Sequence, residues 1–405
     1  MSKKLLMLGA SFFQVPAIIR AKELGHYVIT CDYIPNNFGH KYADEYYNVS
    51  TTDLDGVLKL AQQLAIDGIV CYASDPSAPT AAYVAEKMGL PGNPYESTQI
   101  LSVKDKFRKF LTEHHFRSPV YGSYDELSSM LNDLERFKFP LIMKPVDSSG
   151  SKGVSKINSV NETISAFNNA KSFSRSGRVI LEEYIDSHGP QIIGDGLSYN
   201  GKLVFRAFGT HFFNQNKSEG NPFVPIGGCW PDYRPEYIHN RIHQEIQRLL
   251  DLLKMKNCAY NFEVRLDEND MPILMEVGCR NGGNMIPQVL QYATGVDMPE
   301  FVIRSALGED CSNYSLVPPS GFWAYYVVHS NQAGILNEIS IDPEFQKEHL
   351  VQFWQIKKPG DTIIPFTGSH GTLGTMALKF TSQSEMLEKM ENMMRYVRLS
   401  FQQET

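Results

Sequence analysis

The sequence predicts an α/β chain that opens with a helix-covered parallel sheet and then changes to α+β material. Three observations predict it. The 405 residues exceed one small module and suit about two to three domains of roughly 100–200 residues each. Short apolar runs alternate with helical patterns through the first hundred residues. From Lys104 the runs lengthen and small-residue loops replace the regular alternation.

The elements follow in order. Residues 5–8 read as a strand, Gly9 as a turn, and 16–24 as a helix closed by Gly25. Residues 27–31 are the second strand, 54–65 a helix, 68–71 extended and 79–88 helical until Gly89 and Pro91 stop it. Strands and helices alternating at these lengths imply a Rossmann-like parallel sheet. A dinucleotide fingerprint is broken, because Ser11 and Gln14 stand where glycines would let backbone approach a pyrophosphate. Next come a basic helix over 104–114, a strand over 139–144, a small-residue loop over 147–154, and strands near 154–157 and 179–184. Residues 185–310 hold longer strands and the helix 236–253, and a Pro-rich start near Cys311 leads to a last helix over 384–399.

Composition narrows the function. With 42% apolar and 20% charged residues the chain is not disordered as a whole. A net charge of −7 argues against a nucleic-acid partner held by net positive charge. No run of 18 apolar residues occurs, so no membrane-spanning helix is expected. The apolar start after Lys3-Lys4, interrupted by Gln14 and Pro16, reads as a buried strand rather than a signal peptide. Six scattered cysteines without CxxC pairs suit a reducing cytoplasm. His239 and His243 stand i, i+4, but on an amphipathic helix that needs no metal.

The segment from Cys258 to Arg280 carries the most chemistry. Two extended runs flank Asn269-Asp270, residue types that accept the positive φ of a two-residue hairpin turn. In that register Leu266 faces Ile273, Val264 faces Met275 and Phe262 faces Val277, all apolar. The other face sets Arg265 against Leu274, Glu263 against Glu276 and Asn261 against Gly278. A one-residue slip would destroy this segregation. Two carboxylates then stand roughly 4.5–5.5 Å apart at Cβ, which weakens a hairpin unless a cation neutralises them. Mg²⁺ characteristically takes one or two carboxylates plus phosphate oxygens. A solvated edge that tolerates the acids is the alternative, and the hairpin alone does not decide. Arg280, on the same face, offers a fork for carboxylate or phosphate.

Other segments bear on that choice. Amides of the loop Ser148–Gly153 are able to fold over phosphate oxygens, although GxxxxGK[ST] is absent. Lys144 ends the preceding strand, Lys106 lies on the helix entering this region, and Glu182-Glu183-Tyr184-Ile185 follows an apolar strand. Each alone also reads as a hairpin tip, a snorkelling or surface lysine, or a strand end.

Taken in order, Lys106, Lys144 with its loop, Glu182–Ile185, Glu263 and Glu276-x-x-x-Arg280 resemble the ATP-grasp superfamily over roughly residues 1–310. The segment Tyr72–Thr80, with Gly89-Leu-Pro-Gly92 and Lys104-Asp-Lys106, is similar to its carboxylate–amine ligase and carbamoyl-phosphate-synthase-like branch. The last hundred residues are similar to the extra subdomain of bacterial L-amino-acid ligases. The resemblance implies a Rossmann-like pre-ATP-grasp domain at 1–100, then a two-lobed ATP-grasp fold. Its small lobe with a phosphate lid would span 101–184, its large lobe with a metal site 185–310, and a C-terminal subdomain packed on the large lobe 311–405.

The same resemblance implies ATP with Mg²⁺, or Mn²⁺ in its place. Lys106, Lys144, Ser148, Ser149, Gly150, Ser151 and Gly153 would meet the ATP phosphates, and Glu182, Tyr184 and Ile185 the adenine. Gln191 takes the ribose position where the family usually has an acid. Glu263 and Glu276 would hold the metal, and Arg280 and Lys144 would act in catalysis. The family pattern Glu-x-Asn-x-Arg reads Glu276-Val-Gly278-Cys-Arg280, so Asn261 or Asn281 would have to replace one ligand. The implied activity joins a small-molecule carboxylate to an amine, both amino-acid-like, through an acyl phosphate with release of ADP and phosphate. A cytoplasmic enzyme, a homodimer, with no nucleic acid and no membrane, completes the expectation. The 148–153 loop and Asn214–Asn221 would close over the site, and Trp230, His211, His329 and the 368–374 loop would line an acceptor pocket, unless core packing or turn geometry explains them. A carboxylase-type enzyme acting on bicarbonate and a non-catalytic nucleotide-binding protein stay open as alternatives.

Overall fold

The computed structural model describes residues 2–214 and 221–402. Four parallel strands come first, in the order Glu45–Tyr47, Tyr27–Cys31, Lys4–Leu8, Gly68–Cys71. Leu5, Leu6, Met7 and Leu8 are all buried, because helices Val15–Glu23, Leu54–Leu64 and Ala78–Met88 accompany the sheet. The pattern misses the edge strand Glu45–Tyr47 and, after the sheet, the helix Tyr95–Ser102. At the first turn Gly9 has a φ of 93°. Gln14 folds back there, its Oε1 accepting from the Ser11 amide at 2.6 Å, while Asp32 accepts the Ala10 amide at 3.1 Å. Amides that a pyrophosphate would need are therefore already paired within the protein.

A second, antiparallel sheet has the order Tyr121–Tyr124, Val179–Glu183, Leu141–Pro145, Ser155–Ile157. Helix Thr163–Phe173 buries Ala166, Phe167 and Ala170 in its core. The third and largest sheet has eight antiparallel strands. It runs Pro272–Gly278, Cys258–Leu266, Ile192–Tyr199, Lys202–Phe213, Pro225–Trp230, Phe322–Val328, Gly374–Phe380, Leu350–Gln355. Strands from beyond residue 311 thus continue the sheet that carries the acids. Helix Glu236–Leu252 covers its back, burying Ile238, Ile242, Ile246, Leu249 and Leu250 at helical spacing against Phe262, Val264 and Leu266.

The chain end differs from the expected helix over 384–399. The helix stops at Glu391, and Val397–Phe401 pairs antiparallel with Gly334–Ile341. Val397, Leu399 and Phe401 alternate at period two, and strand pairing prevails over the helical continuation. Among the described residues no helix is long and apolar enough to cross a membrane.

Candidate functional site

The hairpin is built differently from its expectation, yet it delivers the expected pair. Its loop has three residues, 268–270, rather than two: Asp267 and Met271 close it with an N–H···O bond of 3.0 Å, and Asp270 takes a φ of 57°. The Asp267 carboxylate accepts the Asn269 and Met271 amides at 2.8 and 2.9 Å. Beyond it, Leu266 pairs with Pro272, Arg265 with Ile273 and Val264 with Leu274, one residue off the expected register. An irregularity after Glu263 then absorbs the extra residue, Met275, and restores Glu263↔Glu276, Phe262↔Val277 and Asn261↔Gly278. The odd loop and the bulge cancel.

Arg108 holds this bulge. Its terminal nitrogens donate to the Leu274 and Met275 carbonyls at 3.3 and 2.9 Å, and its Nε donates to Glu182 Oε1 at 2.7 Å. Glu182 Oε2 also pairs with Lys144 at 2.6 Å. Burial alone would raise the Glu182 pKa, but the two cations outweigh it and hold the carboxyl at about 2. Burial, partly offset by Glu182, lowers the Lys144 pKa.

These groups meet in a cleft of about 290 Å³ between the small and large sheets. Lys144, Ser148, Ser149, Gly150, Ser151, Glu182, Tyr184, Ile185, Gln191, Glu263, Glu276 and Arg280 all line it. Two expected residues do not. Lys106 is exposed and its ammonium donates to Gln99 Oε1 at 2.7 Å. Gly153 packs on the far side of the loop, where a Cβ would meet Phe173 Cδ2 at 3.0 Å. Helix Lys104–Glu113 explains the first difference: residues two apart point about 200° apart, whereas Lys104 and Arg108, four apart, share a face. Lys104 lines the cleft and donates to the Ser148 carbonyl at 2.7 Å. The apolar phase of Phe107 and Leu111 was the sequence signal for that inward side. Lys106→Ala should leave ATP affinity within about twofold, while Lys104→Ala lowers it at least about tenfold in a fluorescent-nucleotide displacement titration.

The rest of the site is tightly paired. Gln191 donates to Glu263 Oε2 at 3.0 Å and accepts from Arg265 Nε at 3.1 Å. Lys156 lies 3.7 Å above the Tyr184 ring. His211 is buried between Gln191 and the Tyr325 hydroxyl, 3.4 Å from each, and burial lowers its pKa to about 3. Asn261 lines the cleft and donates to Asp195 Oδ1 at 2.8 Å, so its amide oxygen is turned away from that contact. Asn281 is fully buried outside the cleft lining, its amide atoms without hydrogen-bond partners. Trp230 is a core residue donating to the Ala207 carbonyl at 3.2 Å, and buried His329 bonds the Val327 carbonyl. Ser369 and Thr372 of the 368–374 loop do reach the cleft. The loop over 148–153 is fastened across it. Ser151 Oγ donates to the Phe223 carbonyl at 2.8 Å, Asn221 to the Ser151 carbonyl at 3.1 Å, and the Ser369 amide to the Gly150 carbonyl at 3.4 Å. Residues 215–220 of the expected second closing loop lie outside the described residues.

The donor set fits a magnesium nucleotide. Burial raises the Glu276 pKa, Lys104 partly offsets this, and the facing Glu263 raises it further. Among the described residues no third acid, histidine or cysteine completes a metal cluster around them. Such a pair suits Mg²⁺, whose other positions go to water and phosphate oxygens.

Residues 137–288 match the family model of the ATP-grasp domain. That stretch is an ATP-grasp domain. Formate-dependent phosphoribosylglycinamide formyltransferase of Prochlorococcus marinus (strain NATL2A) is 30% identical over 212 residues, 51% of this chain and 54% of that protein. Alanine–anticapsin ligase of Bacillus subtilis (strain 168) is 25% identical over 268 residues, covering 62% and 56%. The chain thus spans about half the length of these curated relatives. The fold of an L-amino acid ligase from Bacillus licheniformis superposes with a TM-score of 0.80 at 21% identity, over 99% of both chains. A phosphoribosylglycinamide synthetase from Anaerococcus prevotii gives 0.75 at 21%, over 99% of this chain and 100% of the other. At these identities the likeness concerns the fold alone.

Proposed function

We propose that this chain is an ATP-dependent carboxylate–amine ligase that forms an amide through an acyl phosphate and releases ADP and phosphate. The observation that carries this reading is the pair Glu263 and Glu276, facing each other beneath a Ser/Gly loop with Lys104, Lys144 and Arg280 around them. Glu263 and Glu276 would hold Mg²⁺, with Mn²⁺ an acceptable substitute, and the ion would draw charge from the transferring phosphoryl group. Lys104, Lys144 and the amides of 148–151 cradle phosphate oxygens. Backbone groups of 182–185 face the adenine, since the Glu182 side chain is spent on Arg108 and Lys144. Gln191 takes the ribose side, and the Asn261 amide oxygen serves where Gly278 lacks a side chain.

A substrate carboxylate attacks the γ-phosphorus in line and ADP leaves. An amine then attacks the acyl carbon, Arg280 steadies the tetrahedral oxyanion, and phosphate leaves. The fastened loop keeps water from the acyl phosphate. The acceptor end of the cleft, toward Phe213, Phe223, Ile286 and Phe366, is apolar, and its His211 is neutral. That lining supports amino-acid-like substrates with apolar side chains over phosphorylated ones. We further read the chain as four domains at 1–100, 101–184, 185–310 and 311–405, the last sharing the large sheet with the third, and as a cytoplasmic protein given six unpaired cysteines.

The test is a coupled ADP-release screen of amino acids and small acids, singly and in pairs, with mass detection of products. ADP and a condensed product that both require an acid–amine pair are expected. Release driven by bicarbonate alone would favour a carboxylase-type enzyme, and ATP binding without release a non-catalytic nucleotide-binding protein.

A further inference from the structure

Asp75 belongs to the first sheet's side of the molecule, in a 3₁₀ turn just past the strand Gly68–Cys71. Its carboxylate nevertheless lines the ATP cleft. It grips Arg280 with two bonds: Nε to Oδ1 at 2.7 Å and Nη2 to Oδ2 at 2.7 Å. The third nitrogen, Nη1, donates to the Asn281 carbonyl at 3.1 Å. A guanidinium has five N–H groups, so one on each terminal nitrogen is left over on a side chain that lines the cleft. Such a fork is rigid and geometrically selective.

The strand beneath makes room for this grip. Glu276 and Gly278 share one face of the strand, and Arg280 follows just beyond its end, with its Cζ 3.4 Å from where a Gly278 Cβ would stand. A Cβ at Gly278 would stand 2.9 Å from Asp75 Oδ1, so the carboxylate would have to shift. Asp75 therefore fills the space that glycine leaves open, and a short acid bonded along one edge has no slack to move aside. The guanidinium and carboxylate are both largely buried, at 11% and 19% side-chain exposure, so neither charge is left to water. Burial opposes the Asp75 charge, but Arg280 holds its pKa below the usual carboxylate range.

We propose that Asp75 is a positioning residue for Arg280, supplied to the ATP-grasp cleft by the first domain and accommodated by Gly278. It fixes the plane of the guanidinium and leaves the end-on fork for a carboxylate or acyl-phosphate oxygen. The inference rests on the ligase reading for what the fork binds, and on geometry alone for how the fork is held.

Four variants test it: Asp75→Ala, Asp75→Asn, Gly278→Ala and the double Asp75→Ala/Gly278→Ala. In ADP release driven by a mixture of the twenty L-amino acids, Asp75→Ala should lower kcat about 100-fold, the scale of misplacing a reacting group by roughly 1 Å. KM for ATP should stay within about twofold, and Asp75→Asn, which keeps one acceptor, should recover part of the loss. Gly278→Ala should resemble Asp75→Ala, and the double should be no worse than either single, because both disturb one grip. Full kcat in Asp75→Ala, with only a lowered Tm, would make the pair a mere fastener between domains and overturn the proposal. A wild type that releases no ADP would instead sink the ligase reading. In that case a crystal structure of Asp75→Ala still decides: a displaced guanidinium is expected, and an unmoved one refutes the positioning role.

Discussion

Glu276→Ala is expected to abolish substrate-dependent ADP release, a loss of at least about 1,000-fold, the several kcal/mol that a metal clamp supplies to phosphoryl transfer. The same change should not unfold the protein. Glu276 faces Glu263 across the ladder, and burial together with that neighbour raises its pKa although Lys104 counteracts them. Removing one of two opposed acids relieves repulsion in the metal-free state. Thermal unfolding in EDTA should therefore begin no lower than in wild type, while the gain on adding Mg-ATP should disappear. Retained ADP release in this variant would contradict the metal assignment.

Arg108→Ala should be the most destabilising single change near the site, by about 3–5 kcal/mol, the usual cost of breaking a buried ion pair from one side. Arg108 is 2% exposed, as is Glu182. Its loss leaves the Glu182 carboxylate with Lys144 alone and strips the Leu274 and Met275 carbonyls of their donor. Those carbonyls belong to the bulge that sets Glu276 opposite Glu263, so nucleotide affinity should fall along with the Tm. Equilibrium unfolding and a nucleotide titration would read the two effects. Wild-type stability in this variant would show that the cluster holds nothing together.

Much of this was legible in the sequence, for identifiable reasons. Buried parallel strands read as continuous apolar runs, and the helix over 236–252 shows its apolar stripe directly. The facing acids were legible because alternation constrains register strongly, even though the loop length was misread and Met275 had to be absorbed by a bulge. Lys104, Arg108 and Asp75 were not assigned. Lys104 needs a helical phase that its two-residue neighbour Lys106 obscures. Arg108 and Asp75 act on residues 166 and 205 positions away, and no local pattern announces such a partnership. The terminal strand was missed because a helical start, Gln383–Glu391, was extended across a stretch whose pairing partner lies near residue 340.

The turn at Gly150 and Ser151 hangs from two anchorages far apart along the chain, one at 221–223 and the other at Ser369. On the proposed reading, admitting a nucleotide or releasing a product would loosen both moorings, so the tail of the molecule would share control of the doorway with the stretch between strands of the large sheet.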